Sequence, residues 1–501
     1  MLGWWLGVVT STWAQSASVP PAEPAEPSQD APAGSEPREP FVTPEDSLAA
    51  VNLVTRAREH AAADRHQAAV RDYLAALDLD IRLVETIAEG IAYQRLWRED
   101  AERAIFYFRR HLIRNPETDN RKVRQGLALA LSWSGRQREA IAQYRQLLRE
   151  NPNDGTSRIG LGRSMIWNNN LRSGFDTVRE VEISFPATTH EGRESARFLL
   201  QVLDDTTPPW EFQADWSHDS DDLDIWRLTA AGAAELKPSL LLLFTPTWTH
   251  YTQPGYAEID AWRLGAGLIT PLAHNWALHA YGWYELFHSR EAVFGAESRK
   301  SWHQPGTDIW FTWLPTSRLR TDFGGNVLPI ETVPSLAREI TASTASASLD
   351  WRFRRQWLLG VAGQASSYSD QNDRLYGTAR LQWQREGRVE VALAPVFTYL
   401  DFKVPYPGNG YWSPSWMRNA SLEAVLLSRW DRWTFRAEGR IGREKEPGSE
   451  TITVGGLTLR LGWRLSARAL LAAAGGYSES RLASPSGYRR HHLSLTLRAF
   501  F

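Results

Sequence analysis

The sequence predicts a multidomain protein, in which an N-terminal all-α solenoid of helical repeats precedes a C-terminal 16-stranded antiparallel transmembrane β-barrel. Three observations predict this architecture. Residues 49–203 carry a helical pattern that repeats along the chain. Residues 209–501 contain sixteen runs of alternating apolar and polar residues, from 210–218 to 491–501, joined by connections that alternate between short and long. The final run is still alternating where the sequence ends. Period-2 alternation is the pattern of strands, and period 3.6 that of helices.

The composition narrows the class of protein. The 501 residues have a formal net charge of only −2, which argues against a nucleic-acid partner. The absence of cysteine excludes disulfides, thiolate metal sites and a cysteine-linked lipid anchor. There are 24 tryptophans, 18 of them at or after Trp210. Tryptophan is enriched at membrane interfaces, where one part of the ring is wet and the rest is apolar.

The first 48 residues predict two segments without a folded core. Residues 1–14, MLGWWLGVVTSTWA, predict a secretion signal with an apolar core and a cleavage site ending at Ala14. No basic residue follows Met1 before this core, which leaves the true start codon open, and an apolar terminus without a targeting role is the alternative. Residues 15–48 are rich in Pro, Ala, Glu and Ser, and we expect a disordered tether there.

The helical repeat is clearest between residues 97–116 and 133–152, which align at an offset of 36 residues. Each copy has a small residue, an aromatic residue four positions later and a proline twelve positions after the small one. These residues are Ala104, Phe108 and Pro116 in the first copy, and Ala140, Tyr144 and Pro152 in the second. A small residue lets two helices approach closely, the aromatic ring fills the gap to the next pair, and the proline ends the second helix.

These positions resemble the tetratricopeptide repeat. The resemblance implies a solenoid over 49–203 whose concave face binds other proteins. A helical spacer without a binding role is the alternative.

The connections between strands predict how the barrel is oriented. Tight ones such as 315–318, 354–356 and 464–467 alternate with long polar ones such as 288–301 and 401–416. Short periplasmic turns and long outer loops are typical of outer-membrane barrels. An even number of strands returns the C-terminus to the side where the first strand begins, so we expect the helical domain in the periplasm. Tryptophans near the short turns, including Trp351, Trp430 and Trp463, predict a periplasmic aromatic girdle.

The last run, HHLSLTLRAFF, alternates between an apolar and a polar face. Its apolar residues include Leu493, Leu495, Leu497 and Phe501. A barrel in lipid must close, because an open edge leaves backbone groups unpaired, so this strand should pair with the first. The terminal phenylalanine resembles the signal that outer-membrane barrels present to the barrel assembly machinery.

The polar faces of the strands predict the residues that line the lumen. These residues are Arg227, Glu235, Arg263, Arg320, Asp322, Arg380, Gln382, Glu390, Glu423, Arg436, Glu438, Arg440, Arg460, Thr496 and Arg498. One interpretation is a hydrated path that hydrogen-bonds a passing polymer. The other is an internal lattice of salt bridges that stiffens the barrel.

Two predicted outer loops carry side chains that could bind ligands. Tyr406, Tyr411, Trp412 and Trp416 could stack on sugars, or fold their loop onto itself or over the pore. The acidic run at 219–224 could hold a divalent cation or be a solvated loop. We expect the solvated loop and predict no metal site. Motifs of hydrolases, zinc proteases and P-loop enzymes are absent from the sequence, so we expect neither catalysis nor a cofactor.

Repeats followed by a 16-stranded barrel resemble the outer-membrane exporters of bacterial exopolysaccharides, such as the poly-N-acetylglucosamine export porin and the outer-membrane subunit of the cellulose synthase complex. The resemblance implies export of a biofilm polymer through the lumen, with repeats that dock periplasmic or inner-membrane synthesis proteins or the polymer. A general diffusion porin and a barrel-anchored receptor or adhesin are the alternatives.

Overall fold

The computed structural model describes residues 42–116, 120–206, 208–237, 240–273, 275–289, 301–316, 318–385, 387–405, 408, 410–480 and 489–500. The predicted secretion signal, most of the predicted tether, Tyr406 and Phe501 lie outside these ranges. The chain divides into two compact units. One contains the helices up to Ser164, and the other begins at Met165 and contains the barrel.

The first unit is a series of consecutive helices in which neighbours pack against one another. They are α1 (Pro44–Ala62), α2 (His66–Leu79), α3 (Val84–Trp97), α4 (Ala101–Arg114), α5 (Arg121–Trp133), α6 (Gln137–Glu150) and α7 (Gly155–Trp167), with a short 3-10 helix at Ile81–Leu83. The predicted all-α repeat architecture is confirmed. None of the described helices combines the length and the apolar character that crossing a bilayer requires.

The array begins at Pro44, inside the segment predicted as tether and before the predicted boundary at residue 49. The reason is a local capping signal. The Thr43 side chain accepts a hydrogen bond from the backbone N–H of Asp46 at 3.1 Å, and Pro44 occupies the first turn, where its missing N–H is not needed. The Pro- and Glu-rich composition that favours disorder also suits the first turn of a helix.

One packing contact recurs along the array. The rings of Tyr73, Phe108 and Tyr144 are buried, and each lies against a glycine of the following helix. A Cβ on Gly126 would overlap the ring of Phe108, and one on Gly160 would overlap that of Tyr144. The aromatic side chain therefore fills the space between successive helix pairs only because the next helix presents a glycine there. Ala104 and Ala140 are fully buried, and α4 and α6 end two residues before Pro116 and Pro152.

The second unit begins with two helices, α8 (Leu171–Ser184) and α9 (His190–Asp205), and continues into a closed barrel of sixteen strands. The strands are β1 (Trp210–Asp219), β2 (Asp224–Lys237), β3 (Leu240–Thr252), β4 (Ile259–Ala273), β5 (Trp276–Ser289), β6 (Ser301–Thr316), β7 (Leu319–Pro329), β8 (Thr341–Arg354), β9 (Trp357–Tyr368), β10 (Asp373–Arg385), β11 (Val389–Phe402), β12 (Met417–Trp430), β13 (Trp433–Lys445), β14 (Ile452–Ser466), β15 (Ala469–Glu479) and β16 (Arg489–Ala499). A short helix, α10 (Val333–Ala337), lies between β7 and β8. The predicted strand number and closed topology are confirmed.

The barrel closes by pairing β1 with β16, as the sequence predicts. Trp210 pairs with Ala499, Phe212 with Leu497, and the antiparallel register runs without a break to Asp219 and Arg490. Each strand is paired on both sides, so the sheet has no edge in lipid.

The outer surface of the barrel is apolar. Large apolar side chains on many of the strands, such as Phe212, Leu264, Leu422 and Leu495, are half exposed or more. A water-soluble protein rarely exposes so extensive an apolar surface, so this surface faces lipid. Tryptophans lie near the short turns, where Trp276 stacks on Trp313 and Trp433 on Trp463. They form the predicted girdle, and the barrel is of the outer-membrane type.

Candidate functional site: the lumen and its two mouths

The strand register decides which residues face the lumen. On β1, Trp210 and Phe212 are exposed to the outside, so Glu211 and Gln213 between them face inward. Paired residues share a face, and following the pairs from strand to strand places each predicted lumen residue on the inner wall. These are Arg227, Glu235, Arg263, Arg320, Asp322, Arg380, Gln382, Glu390, Glu423, Arg436, Glu438, Arg440, Arg460, Thr496 and Arg498.

Many of these arginines bond carboxylates of the same wall. The pairs are Arg263–Glu285 (2.8 Å), Arg320–Asp322 (2.7 Å), Arg380–Asp350 (3.1 Å), Arg498–Glu211 (2.8 Å) and Arg436–Glu438. At these positions the wall contains internal ion pairs, as in the salt-bridge lattice that the sequence suggests beside a hydrated polymer path. A guanidinium bonded in this way has fewer donors left for a ligand.

Helices α8 and α9 pack against the end of the barrel that carries the short turns, here called the turn-side mouth. Phe175 of α8 stacks on Phe500 with ring centroids 4.9 Å apart. Both belong to a buried apolar cluster that joins the two helices to the inner wall. Its members are Ile166, Leu171, Phe175, Val178, Phe198, Leu199, Leu200, Val202, Leu203, Leu241, Leu470 and Phe500. Burial of this much apolar surface fixes the helix pair on the barrel.

Charged contacts surround this cluster. Glu182 of α8 accepts two hydrogen bonds from Arg464, at 2.8 and 2.9 Å. At the end of α9, Asp205 accepts from Arg429 at 2.7 Å, and Asp204 pairs with Arg460. The paired guanidiniums belong to β12 and β14, so the acidic side chains of the helices neutralise arginines at the turn-side mouth. Because Arg464 bonds Glu182 through two hydrogen bonds, this pair also fixes the orientation of the two side chains.

Asp205 is buried where these groups meet. Burial raises the pKa of its carboxyl to about 6, and the neighbouring Asp204 adds to the rise, although Arg429 and Arg436 oppose it. Asp205 thus titrates in a pH range that an ordinary aspartate does not reach.

The opposite end, the loop-side mouth, is covered by the segment between β7 and β8. We call residues 330–340 the lid. It contains α10, whose Val333 and Leu336 are completely buried. They share one apolar cluster with inward-facing residues of β2 to β6. The wall members are Ile225, Tyr251, Ile259, Ala261, Phe287 and Trp302, together with Leu223 of the preceding turn. The lid therefore lies inside the barrel instead of extending into solvent.

A partly buried charge pair fixes the lid to the wall. Glu331 accepts a hydrogen bond from Arg227 of β2 at 2.7 Å, and its carboxylate is 4.0 Å from Arg263 of β4. Burial alone would raise the pKa of Glu331, but the positive charges around it, that of Arg227 first, outweigh burial and lower that pKa. Glu331 is therefore ionised and neutralises the positive charge of this part of the wall.

A second loop, residues 403–416, packs on the lid. We call it the aromatic loop. Arg338 of the lid donates a hydrogen bond to the carbonyl of Gly408 at 2.6 Å. Gly410 has a φ of +87°, and a Cβ on it would overlap Pro334 of α10. The close approach of the two loops thus depends on a residue without a side chain.

The aromatic loop uses the ring of Tyr411 for internal packing. Tyr411 is buried, stacks on Tyr368 with centroids 5.1 Å apart, and donates a hydrogen bond from its hydroxyl to Asp370 at 2.8 Å. Trp412 packs against the buried apolar cluster that contains Tyr368 and Tyr411. Arg418 lies over the ring of Trp416. The sequence suggests two roles for these rings, stacking on sugars and folding the loop. In the structure, Tyr411 folds the loop.

The acidic run at 219–224 stabilises a turn. The Asp219 side chain accepts hydrogen bonds from the backbone N–H groups of Asp221 and Leu223, at 2.9 and 3.1 Å. In the part of the chain that the structure describes, no group of three His, Cys, Asp or Glu side chains is arranged to hold a metal ion.

Sequence reasoning missed the residues that cover the two mouths. Glu331 and the acids of α8 and α9 look like ordinary polar surface residues in the sequence. One signal was present: Thr332 precedes Pro334, and its side chain caps α10 by accepting from the N–H of Ser335 at 3.3 Å. A capping residue and a proline inside a long loop predict a short helix, and such a helix needs a surface to pack on.

No protein-family model and no curated protein matches the chain. Solved structures similar to it include one described as a bacterial polysaccharide outer membrane secretin, at 16% identity and a TM-score of 0.45, covering 59% of this chain and 99% of that one. CdiB from Acinetobacter baumannii is 10% identical, with a TM-score of 0.38, over 57% of this chain and 59% of that one. The helical part is similar to YrrB, described as a TPR protein with an unusual peptide-binding site, at 17% identity and a TM-score of 0.26, over 32% of this chain and 78% of that one.

Proposed function

We propose that this protein is an outer-membrane export channel for a bacterial exopolysaccharide. One observation carries the proposal: the lumen of a 16-stranded barrel, a size that leaves an aqueous channel in porins, is covered at one mouth by a lid whose polar anchor is the Arg227–Glu331 pair. A path of that width needs a closure, because an open one would leak small solutes.

The polymer would pass from the periplasm to the cell surface. In outer-membrane barrels the short turns face the periplasm, so α8 and α9, which pack on the turn-side mouth, would lie on that side. The chain runs from the repeat array directly into α8, so the repeats would also be periplasmic. There they would bind periplasmic or inner-membrane polysaccharide synthesis proteins, or the polymer itself.

The barrel would bind and guide the polymer without chemistry. The inner wall offers hydroxyl, amide and guanidinium groups, which hydrogen-bond sugar hydroxyls, and synthesis in the inner membrane would drive the chain outward. Insertion into the outer membrane would use the barrel assembly machinery, for which the alternating β16 strand is suited.

A general diffusion porin is the main alternative. It would conduct small solutes continuously through the wild-type lumen, which the lid and the aromatic loop oppose. A surface receptor or adhesin would use the outer loops with the barrel as an anchor. Deleting those loops would then abolish surface binding while leaving polymer transport intact.

The test is a strain that lacks only this protein. We expect surface polysaccharide to fall and the same polymer, identified by its sugar composition, to accumulate in the periplasm. Unchanged surface polymer would overturn the proposal. Restoration by the wild-type gene is the control for indirect effects on synthesis.

A further inference from the structure

The inner wall beneath and beside the lid contains polar atoms without hydrogen-bond partners. Gln304 of β6 faces the lumen and is only 5% exposed, and neither its amide nitrogen nor its amide oxygen has a partner among the described residues. The indole N–H groups of Trp283 and Trp302 are buried and lack a described partner as well. Buried polar atoms of this kind are rare in folded proteins and destabilise the state that contains them.

These three side chains are neighbours on two adjacent strands. In the register of β5 and β6, Gln304 is opposite Glu285, Trp283 is opposite Gly306, and Trp302 is opposite Phe287. All of them lie on the inner face, because Tyr284 and Leu286, between them on β5, are exposed to the outside. The unpartnered atoms of Trp283, Trp302 and Gln304 thus belong to one patch of the lumen wall.

The aromatic rings of the patch are packed against their neighbours. A Cβ on Gly306 would overlap the indole of Trp283, so the ring lies directly on the neighbouring strand. Tyr281 continues the aromatic surface, with ring centroids 5.5 Å apart. The Trp283 ring lies between Gly306 and Arg263, and Trp302 stacks on Phe287 with centroids 5.2 Å apart, so the patch offers hydrogen-bonding groups more than free ring faces. Amide and indole N–H groups match the hydroxyls of a sugar.

The charges nearby are already neutralised. Arg263, which lies 5.1 Å above the Trp283 ring, bonds Glu285 at 2.8 Å. The Arg263 guanidinium is therefore already bonded to a carboxylate of the wall. A neutral saccharide fits the patch better than an anionic one.

The lid covers part of this patch with apolar side chains. Trp302 belongs to the same buried cluster as Val333 and Leu336 of α10, and neither a valine nor a leucine can donate or accept a side-chain hydrogen bond. The Arg227–Glu331 pair stabilises the covered state against the cost of the unpartnered atoms. A ligand that supplied hydroxyls would compete with the lid for the wall.

We propose that Trp283, Gln304 and Trp302 form a binding subsite for a neutral, hydroxyl-rich sugar unit, and that the lid covers this subsite when the channel is closed. The proposal rests on the proposed export function and names the chemical class of its substrate. Binding of the polymer then accompanies release of the lid. The sugar hydroxyls satisfy the polar atoms that the closed lid leaves unpaired.

The test measures oligosaccharide affinity on the purified full-length protein, in the wild type and in Glu331→Gln. The probes are the neutral hexasaccharides cellohexaose and chitohexaose, with hexagalacturonate as the anionic comparison. We expect at least one neutral probe to bind Glu331→Gln roughly tenfold more tightly than wild type, because the lid competes less well. Adding Gln304→Leu should weaken that binding roughly tenfold, and adding Trp283→Phe, which removes only the indole N–H and part of the ring, should weaken it less.

Hydrogen exchange in the lid separates the subsite from a merely structural role for Gln304. If Gln304 belongs to the subsite, Gln304→Leu removes two unpartnered atoms beneath the lid, so it should slow hydrogen exchange in the lid while it weakens sugar binding. If Gln304 has only a structural role, the same change should not slow that exchange. Trp262→Phe, on the lipid-facing surface of β4, is the matched control and should change neither quantity. Failure of both neutral probes to bind Glu331→Gln, stronger binding of hexagalacturonate, or binding insensitive to Gln304→Leu would each overturn the subsite. None of these results depends on polymer export in the deletion strain, so the subsite can fail while the export function stands.

Discussion

Arg227 and Glu331 are 104 residues apart in the chain and are joined by a hydrogen bond of 2.7 Å inside the barrel. Arg227 belongs to the wall at β2, whereas Glu331 belongs to the lid between β7 and β8. The pair therefore connects distant parts of the sheet, and it couples the position of a loop to the charge of one carboxyl group.

Glu331→Gln should open the loop-side mouth. Removing the charge of one partner in a partly buried, hydrogen-bonded ion pair costs about 2 kcal/mol, and here that cost falls on the closed lid alone. Single-channel conductance in planar bilayers should rise severalfold. Glu450→Gln, on the exposed loop between β13 and β14, is the control and should conduct like wild type. Equal conductance in both variants would show that the charge pair does not keep the lid closed.

Gly410→Ala should separate the aromatic loop from the lid. The φ of Gly410 is +87°, which costs an alanine about 1 kcal/mol, and its Cβ would also overlap Pro334. Gly408→Ala carries a similar backbone cost at a φ of +72°, but its Cβ would meet no atom of the described residues within 4 Å. Hydrogen exchange of the lid amides should be faster in Gly410→Ala than in Gly408→Ala. Identical rates would mean that the contact with Pro334 is unimportant.

Phe108→Ala should destabilise the repeat array by about 3 to 5 kcal/mol, since the ring is fully buried and leaves a cavity against Gly126. Phe106→Ala removes the same atoms from a side chain that is 57% exposed, and should cost less than about 1 kcal/mol. Thermal unfolding followed by the helical circular-dichroism signal of the full-length protein measures both. Similar losses in the two variants would contradict the packing described for the array.

The contact of α9 with the barrel should weaken as the pH rises from about 4 to about 6. The pKa of Asp205 is raised to about 6 in the folded state, so between its ordinary pKa and pH 6 the folded protein holds a proton that the unfolded chain has released. Stability is therefore greatest at the acidic end of this window, falls across it, and is constant above pH 6. The size of this change in stability depends on the charges around the Asp205 carboxyl, which belong to Arg429, Asp204 and Arg436.

Asp205→Asn tests this dependence because it fixes the side chain in an uncharged form. The protection factors of the α9 amides, which compare each exchange rate with the intrinsic rate at the same pH, should lose most of their change between pH 4 and pH 6 in this variant. Asp176→Asn, whose carboxylate pairs with the partly exposed Arg468, is the control and should keep the wild-type dependence. A wild-type dependence in Asp205→Asn would assign the titration to another group.

The sequence predicted what depends on local pattern. The alternation of residues such as Leu493, Leu495 and Leu497 follows from the two faces of a strand, and sixteen such runs define the barrel. The repeats were recognisable because Phe108 and Tyr144 recur at a fixed spacing. The onset of α1 was placed too late because the capping signal at Thr43 and Pro44 lies in a Pro-rich segment.

The closures of the lumen could not be predicted in the same way. Which carboxylate meets which arginine depends on the strand register and on loops that turn into the barrel, so neither Glu331 nor Asp205 is distinguished by its neighbours in sequence. The lumen arginines were placed on the correct face, but their use in ion pairs depends on partners such as Asp350 on β8 and Glu285 on β5. Those partners become visible only when the barrel is closed.

The central claim is that polysaccharide crosses the outer membrane through this lumen, and the ratio of extracellular to periplasmic polymer tests it most directly. The ratio is compared among three strains: one that lacks the protein, one that has only the wild-type protein and one that has only Glu331→Gln. We predict that the ratio collapses without the protein and is restored by both forms, with Glu331→Gln adding sensitivity to small toxic solutes because its lid no longer closes. An unchanged ratio in the strain without the protein would contradict the claim.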